Sequence, residues 1–290
     1  MDADIKKIVE LVMKELQAAQ SAPVSPGCPA ATDDGEPLSD IGAVDLQRYL
    51  QVPEPKSLRL YEQMKLQTPA RIGAWRTGTR PLTDTLIRFR ADHAAAQDSV
   101  MSEIPQEFPD KFNMLCTRSR CIDKDQYLTR PDLGRLLDDQ SLSLLRIEAD
   151  KNAEVQIIVS DGLSARAVEA NVPDVLPSIM QGLQVLGIKT ARPIFVHSGR
   201  VAVMDVIGEE LRPKVAVILI GERPGLATAE SMSAYLGYNP RKGMLESERM
   251  VISNIHKGGT PAVEAGAHLA TLIQKMLQKK ASGVNLTQLS

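Results

Sequence analysis

Aromatic residues are scarce in this 290-residue chain: four phenylalanines, five tyrosines and one tryptophan, Trp75, make up 3% of it. Proteins that bind single-stranded nucleic acid stack bases on aromatic side chains, and a chain this poor in them lacks the platforms. Charge of one sign is missing too, since 34 basic residues face 36 acidic ones. No net field draws the chain onto nucleic acid or an anionic membrane, so recognition must be local and shaped. Cysteine is limited to Cys28, Cys116 and Cys121. An odd set without Cys-x-x-Cys spacing reads as reduced thiols of a cytoplasmic protein, neither a disulfide framework nor a zinc site. No apolar run approaches the roughly 18 residues that a membrane helix needs. Lys6, Lys7, Glu10, Lys14 and Glu15 break up the N-terminal apolar residues, so no secretory signal is expected.

Several chemistry-bearing motifs are absent as well. Neither G-x-G-x-x-G nor G-x-x-x-x-G-K-[ST] occurs, which disfavours ordinary NAD or ATP binding. The four histidines, His93, His197, His256 and His268, show no paired spacing for a metal. Ser160 and Ser164 lack the G-x-S-x-G elbow of a hydrolase nucleophile. No catalytic side chain and no metal ligand is therefore assigned.

What is present falls into four segments. At 1–17, Ile5, Ile8, Val9, Val12, Met13 and Leu16 form an apolar stripe on one helix face. From 18 to 40, Pro23, Pro26, Gly27, Pro29, Gly35 and Pro37 prevent regular structure and predict a flexible linker. A helix on such a tether has no core of its own and is expected to dock elsewhere. Residues 41–150 read as mainly helical, with helices predicted over 82–99 and 131–151. Pro81 and Pro131 stand at their first turns, where a missing N–H is no loss; the stretch 100–127 carries strand-like pieces without a clear assignment. Beyond 150, short apolar runs at 155–159, 175–186, 194–196, 201–204 and 215–220 alternate between strand-like and helical segments, which predicts an α/β domain over 151–290 with a mostly parallel sheet. The last helix is predicted with Thr260 as N-cap, Pro261 at its first position and a buried stripe through Val263, Ala267, Ala270, Ile273 and Leu277.

Two strands share one design, a β-branched run that ends on a carboxylate and a glycine: Ile157-Ile158-Val159-Ser160-Asp161-Gly162 and Val217-Ile218-Leu219-Ile220-Gly221-Glu222. In an open parallel sheet both carboxylates lie at the strands' carboxyl ends, where ligands bind; as turn residues they would equally well cap the next segment of chain. Lys257-Gly258-Gly259-Thr260 precedes a helix and is either an anion cradle or a tight turn.

Five ordered words, Leu128-Thr129-Arg130-Pro131-Asp132-Leu133-Gly134-Arg135, Val159-Ser160-Asp161-Gly162-Leu163-Ser164, Gly221-Glu222-Arg223-Pro224-Gly225-Leu226, Ile252-Ser253-Asn254-Ile255-His256-Lys257-Gly258-Gly259-Thr260-Pro261 and Lys280-Ala281-Ser282-Gly283, resemble the light chain of ethanolamine ammonia-lyase. The resemblance implies a Rossmann-like small subunit that associates with a barrel-shaped large subunit in a hetero-oligomer, with adenosylcobalamin between them. It implies a radical enzyme that converts ethanolamine to acetaldehyde and ammonia, in which this chain supplies no catalytic side chain and the cobalt cofactor carries the hard step. Carried over by motif, its cofactor contacts fall on Val201 in Gly199-Arg200-Val201, on Glu222, and on Val251 just before Ile-Ser-Asn-Ile-His. The family is expected to have cysteine where this chain has Val251, a change that a backbone contact survives and a sulfur contact does not. The Asp-x-His-x-x-Gly signature that replaces the cofactor's lower base is absent, so the base-on form is implied. The N-terminal stripe also resembles peptides that direct enzymes into bacterial microcompartments, a resemblance that implies an enzyme in the cytoplasm within such a shell; the other reading of the stripe is a helix that packs on the large subunit. An alternative is a structural adaptor that links the large subunit to the shell and never touches cofactor.

Overall fold

A computed structural model describes residues 40–288; the predicted helix at 1–17 and the linker as far as residue 39 lie outside them. The extension begins with a 3-10 turn at Ile41–Ala43 and continues through α1 (Leu58–Leu66), a small hairpin of β1 (Arg76–Thr77) and β2 (Arg80–Pro81), α2 (Thr83–Met101) and the single turn α3 (Phe108–Lys111). Pro81 thus belongs to the hairpin and Leu82 precedes the helix, one step away from the predicted first-turn position.

The stretch 100–127 supplies an edge strand of the main sheet, β3 (Leu115–Arg118), before α4 (Lys124–Thr129). The helix predicted over 131–151 is two pieces. A 3-10 turn, Leu133–Arg135, ends at an extended Leu136, Leu137 bridges to Ser119, and α5 (Asp139–Glu148) restarts with Asp138 accepting the Ser141 N–H at 2.7 Å. The leucine spacing runs through the break because Leu136 and Leu137 at the break and Leu144 and Leu145 on α5 pack in one cluster against the same sheet face.

The remaining elements are β4 (Val155–Ser160), α6 (Ala165–Val185), β5 (Ile194–His197), α7 (Val203–Leu211), β6 (Val215–Gly221), β7 (Met232–Tyr238), β8 (Arg249–Ile255), α8 (Ala262–Lys279) and α9 (Gly283–Gln288). The six-stranded sheet has the order β3-β5-β4-β6-β7-β8. Its first four strands run parallel, while β7 and β8 return antiparallel. The architecture is α/β with a mixed, mostly parallel sheet. Strands β4 and β6 are buried at every position, as strands covered on both faces must be.

One face packs on α6 and α8, where strand alternation places Ile157, Val159, Val217 and Leu219 against Val172, Ile179, Leu269 and Ile273. The other presents Ile158, Val196, Ile218 and Ile220 to α5 and α7. Helix α6 starts ten residues before the predicted segment at 175; Ser164 caps it by accepting the Ala167 N–H at 3.1 Å, and Pro173 and Pro177 lie inside it. The buried face of α8 runs through Ala265, Gly266, Leu269, Ala270, Ile273 and Met276, and Val263 is exposed instead of joining the stripe. Glycines decide that face. A Cβ on Gly266 would stand 2.5 Å from Ser178 Cβ, and one on Gly182 would stand 2.7 Å from Ala270 Cβ, so α6 and α8 touch backbone to backbone. Pro261, not Thr260, is the cap residue of α8. Among the described residues no helix is long and apolar enough to cross a membrane.

Candidate functional site at the carboxyl edge of the sheet

The chain leaving β4 turns into α6 on one face and the chain leaving β5 turns into α7 on the other, so their connections diverge between adjacent strands. Open α/β sheets bind ligands beside such a switch point. Here the divergence is stitched shut by Asp161. Its Oδ1 accepts the Ser198 N–H at 2.8 Å and the Gly162 N–H at 2.9 Å, while Ser160 Oγ donates to Val196 O at 2.8 Å and accepts the Gly199 N–H at 3.0 Å. Burial pushes the Asp161 carboxyl above its ordinary value, against the opposing pull of Lys124, His197 and the two amides. Of the two strand-end carboxylates, Asp161 is thus engaged in holding the β4 and β5 turns together.

Glu222 is placed differently, half-buried on the rim beyond β6. Its Oε2 accepts from Ser231 Oγ at 2.7 Å, and its Oε1 accepts from Ser233 Oγ and from the Asn254 N–H at 3.0 Å. Burial alone would raise this carboxyl, but the Ser233 and Ser231 hydroxyls, the Asn254 amide and nearby His256 together hold it below its ordinary value. It is therefore an anchored, ionised acceptor. A carboxylate has about four acceptor positions, and three are occupied.

Glu222 and Val201 line one cavity of about 200 Å³ together with Tyr127, Leu163, Arg200 and Tyr235. Arg200 lies 4.1 Å over the Tyr127 ring, Nη2 donates to Tyr127 O at 2.7 Å, and the Arg200 N–H bonds Gly134 O at 2.7 Å. The word around Gly134 acquires a physical reason here, because a Cβ at that position would stand 2.7 Å from Arg200 Cγ. Val251 is half-exposed on β8 and pairs directly with Tyr235, so its side chain extends the same face of the sheet beyond the cavity. The structure brings Val201, Glu222 and Val251 to one side of the molecule, two inside the cavity and one at its margin.

The glycine pair before α8 is a tight turn. Gly258 N–H donates to His256 Nδ1 at 3.1 Å, Gly259 N–H to His256 O at 3.0 Å and Thr260 N–H to Asn254 O at 2.9 Å, so these amides face inward. Because Nδ1 accepts, Nε2 carries the proton and donates to Asn254 Oδ1 at 2.8 Å. The turn thereby fixes Asn254, whose N–H holds Glu222. Leu226, in the loop after Glu222, is tied back to the extension by Arg71, which donates to Leu226 O at 3.3 Å and also bonds Asp92.

Sequence reasoning missed Tyr127, Tyr235, Ser231 and Ser233. Only Arg200 carried a signal, as the neighbour of Val201. Among the described residues no group of three or more His, Cys, Asp or Glu is arranged for a metal ion, and Cys116 and Cys121 are free thiols.

Fold and site define an open-sheet α/β chain whose candidate ligand groove lies on the carboxyl rim. Residues 59–287 match the ethanolamine ammonia-lyase light chain (EutC) family. The chain is 50% identical to the ethanolamine ammonia-lyase small subunit of Clostridium tetani, with 98% of each chain covered. It is 47% identical to that of Listeria monocytogenes over 98% of this chain and 99% of the relative, and 48% identical to that of Clostridioides difficile over the same shares. The chain belongs to the ethanolamine ammonia-lyase light-chain family and is a lyase subunit.

Proposed function

We propose that this chain is the small subunit of an adenosylcobalamin-dependent ethanolamine ammonia-lyase, holding base-on cobalamin against the large subunit through Val201, Glu222 and Val251. The observation that carries this reading is the anchored Glu222 carboxylate on an open cavity wall, with one acceptor position left for an amide N–H of a corrin side chain. The fit is that of a half-site. Pockets that enclose a small molecule usually exceed about 300 Å³, so a 200 Å³ recess receives rim substituents and leaves the macrocycle to be covered by another chain. When bound, the cofactor supplies radical chemistry through homolysis of its cobalt–carbon bond, and this chain's residues bind, orient and exclude water.

The surface of the extension supports a protein partner. Leu58, Leu60, Leu66, Trp75, Phe89 and Met101 are all exposed within 41–150, large apolar side chains that a partner's surface would cover. We assign this extension to the contact with the large subunit, the 151–290 segment to a Rossmann-like cofactor domain, and residues 1–17 to docking at a microcompartment shell. The experiment is ethanolamine turnover with adenosylcobalamin by this chain alone, by its large subunit alone and by the two mixed. Turnover only in the mixture supports the reading. Turnover by the large subunit alone reduces this chain to an adaptor, and turnover by this chain alone overturns it.

A further inference from the structure

Arg249, the first residue of β8, and Asp205, in the first turn of α7, form an ion pair with Nη2 2.6 Å from Oδ2 and side chains only 3% and 10% exposed. Arg249 Nη1 also lies 2.6 Å from Glu246, whose side chain is mostly in solvent. Three buried atoms of the pair, Asp205 Oδ1, Arg249 Nε and Arg249 Nη1, have no hydrogen-bond partner, Nη1 meeting Glu246 only as an ion-pair contact. A buried ion pair left partly unsatisfied stabilises little, because desolvating both charges offsets their attraction. What it does provide is a fixed distance between the two elements it joins.

Those two elements lie directly behind the cavity: α7 begins two residues after cavity-lining Val201, and β8 pairs along β7, which carries the cavity-lining Ser233 and Tyr235. Asp205 stands one helical turn beyond Val201, and the Met204 N–H bonds Val201 O at 3.2 Å, so the turn that presents Val201 runs directly into Asp205. Arg249 precedes Val251 by two residues and shares its face of β8. Strand β8 is the edge of the sheet, held on one side by β7 alone. Arg249 pairs with Gly237, where a Cβ would stand 2.8 Å from Met244 Cε and 3.1 Å from Met204 Cε, so α7 lies close over the sheet at this point.

We propose that Asp205 and Arg249 are positioning residues that set the width of the cobalamin half-site by locking the start of α7 to edge strand β8. This rests on the cofactor reading of Val201, Glu222 and Val251.

The test uses the complex of this chain with its large subunit and measures cyanocobalamin affinity by equilibrium dialysis, the apparent KM for adenosylcobalamin and for ethanolamine, and the thermal midpoint. Asp205→Leu/Arg249→Met replaces the pair with apolar groups of similar bulk. Its thermal midpoint is expected at or above that of the unchanged complex, with cyanocobalamin affinity about tenfold lower, the scale of a modest misplacement of a supporting group, and an unchanged KM for ethanolamine. Arg249→Lys, which keeps the charge opposite Asp205, is expected to recover most of the affinity. Unchanged cyanocobalamin affinity in the folded double variant overturns the proposal. Should that variant not fold, Asp205→Asn decides by the same criteria. Glu222→Ala separates the two levels: affinity lost there and retained in the double variant overturns the positioning role alone, whereas affinity retained in both overturns the cofactor reading as well.

Discussion

Removing the Glu222 carboxylate is the perturbation with the most defined consequence. Three donors converge on it, two hydroxyls and one backbone N–H, and each bond to a charged acceptor contributes about 1.5–3 kcal/mol when its partner is otherwise left unpaired. Glu222 is only half-buried and Asn254 is exposed, so water replaces part of that loss. Glu222→Ala is expected to lower stability by about 1–3 kcal/mol, a thermal midpoint shift of roughly 2–8 °C for a domain of this size. In Glu222→Gln the amide oxygen keeps Ser233 and Asn254 while the new NH2 donates to Ser231, whose hydroxyl rotates to accept, so the loss is expected to be under about 1 kcal/mol. The pH dependence is set by the sign of the shift. A carboxyl held below its ordinary value of 4.5 stabilises the fold above that value and loses the contribution as the pH falls through its folded pKa. The advantage of the native chain over Glu222→Gln should therefore be constant near neutrality and vanish in acid. Thermal unfolding from pH 7 downward, with hydrogen exchange of the Asn254 amide, checks this. A Glu222→Ala chain whose midpoint and Asn254 protection both match the native chain at pH 7 refutes the reasoning.

Asp161→Asn has the opposite expectation: burial raises this carboxyl, so the fold bears a penalty above the ordinary value of 3.8, and an amide that still accepts from Ser198 and Gly162 should give an equal or higher midpoint at pH 7, the difference closing as the pH falls. Gly221→Ala places a Cβ 2.2 Å from Ser164 O and 2.5 Å from Asp161 O, both backbone, and is expected to destabilise by at least about 3 kcal/mol in denaturant titration. Gly134→Ala drives Arg200 off the Tyr127 ring and is expected to cost about 1–3 kcal/mol and weaken cobalamin binding in equilibrium dialysis. Deleting residues 1–20 is expected to leave turnover of the purified complex intact and abolish encapsulation; lost turnover counts against the targeting role.

Three of the four parallel strands were legible, β4 and β6 because they are buried on both faces and read as unbroken apolar runs, whereas the edge strand β3 (Leu115–Arg118), with only alternate residues buried, was not. Strands β7 and β8 were not. Met232–Tyr238 mixes serine, glycine and tyrosine, and Arg249–Ile255 buries Arg249 behind an ion pair, so neither shows clean alternation. Strand β7 builds one wall of the cavity, which is why Tyr235 and Ser233 stayed invisible. Helix α6 hid its first ten residues behind Pro173 and Pro177, since tertiary burial overrides the local cost of proline. In α8 the apolar spacing pointed at Val263 and Ala267, whereas close helix contact selects glycine and alanine, which hydrophobicity alone does not rank. Glu222 was legible from its strand-end position, but the same rule nominated Asp161, and only the hydrogen bonds separate an acceptor facing the cavity from one closed into a turn.

Arg71 joins the two surfaces on which the proposed assembly depends. One guanidinium bonds Asp92 on α2 and the Leu226 carbonyl four residues past Glu222, and Arg88 holds the same Asp92 at 2.9 Å while donating to the Ile41 and Val44 carbonyls at 2.7 Å. The exposed apolar extension and the loop after Glu222 are therefore hydrogen-bonded to one another through Arg71. In the proposed assembly a large subunit that seats on the extension would sit against the same loop. Glu222 is already oriented by Ser231, Ser233 and Asn254, so that less ordering entropy has to be overcome when cofactor binds.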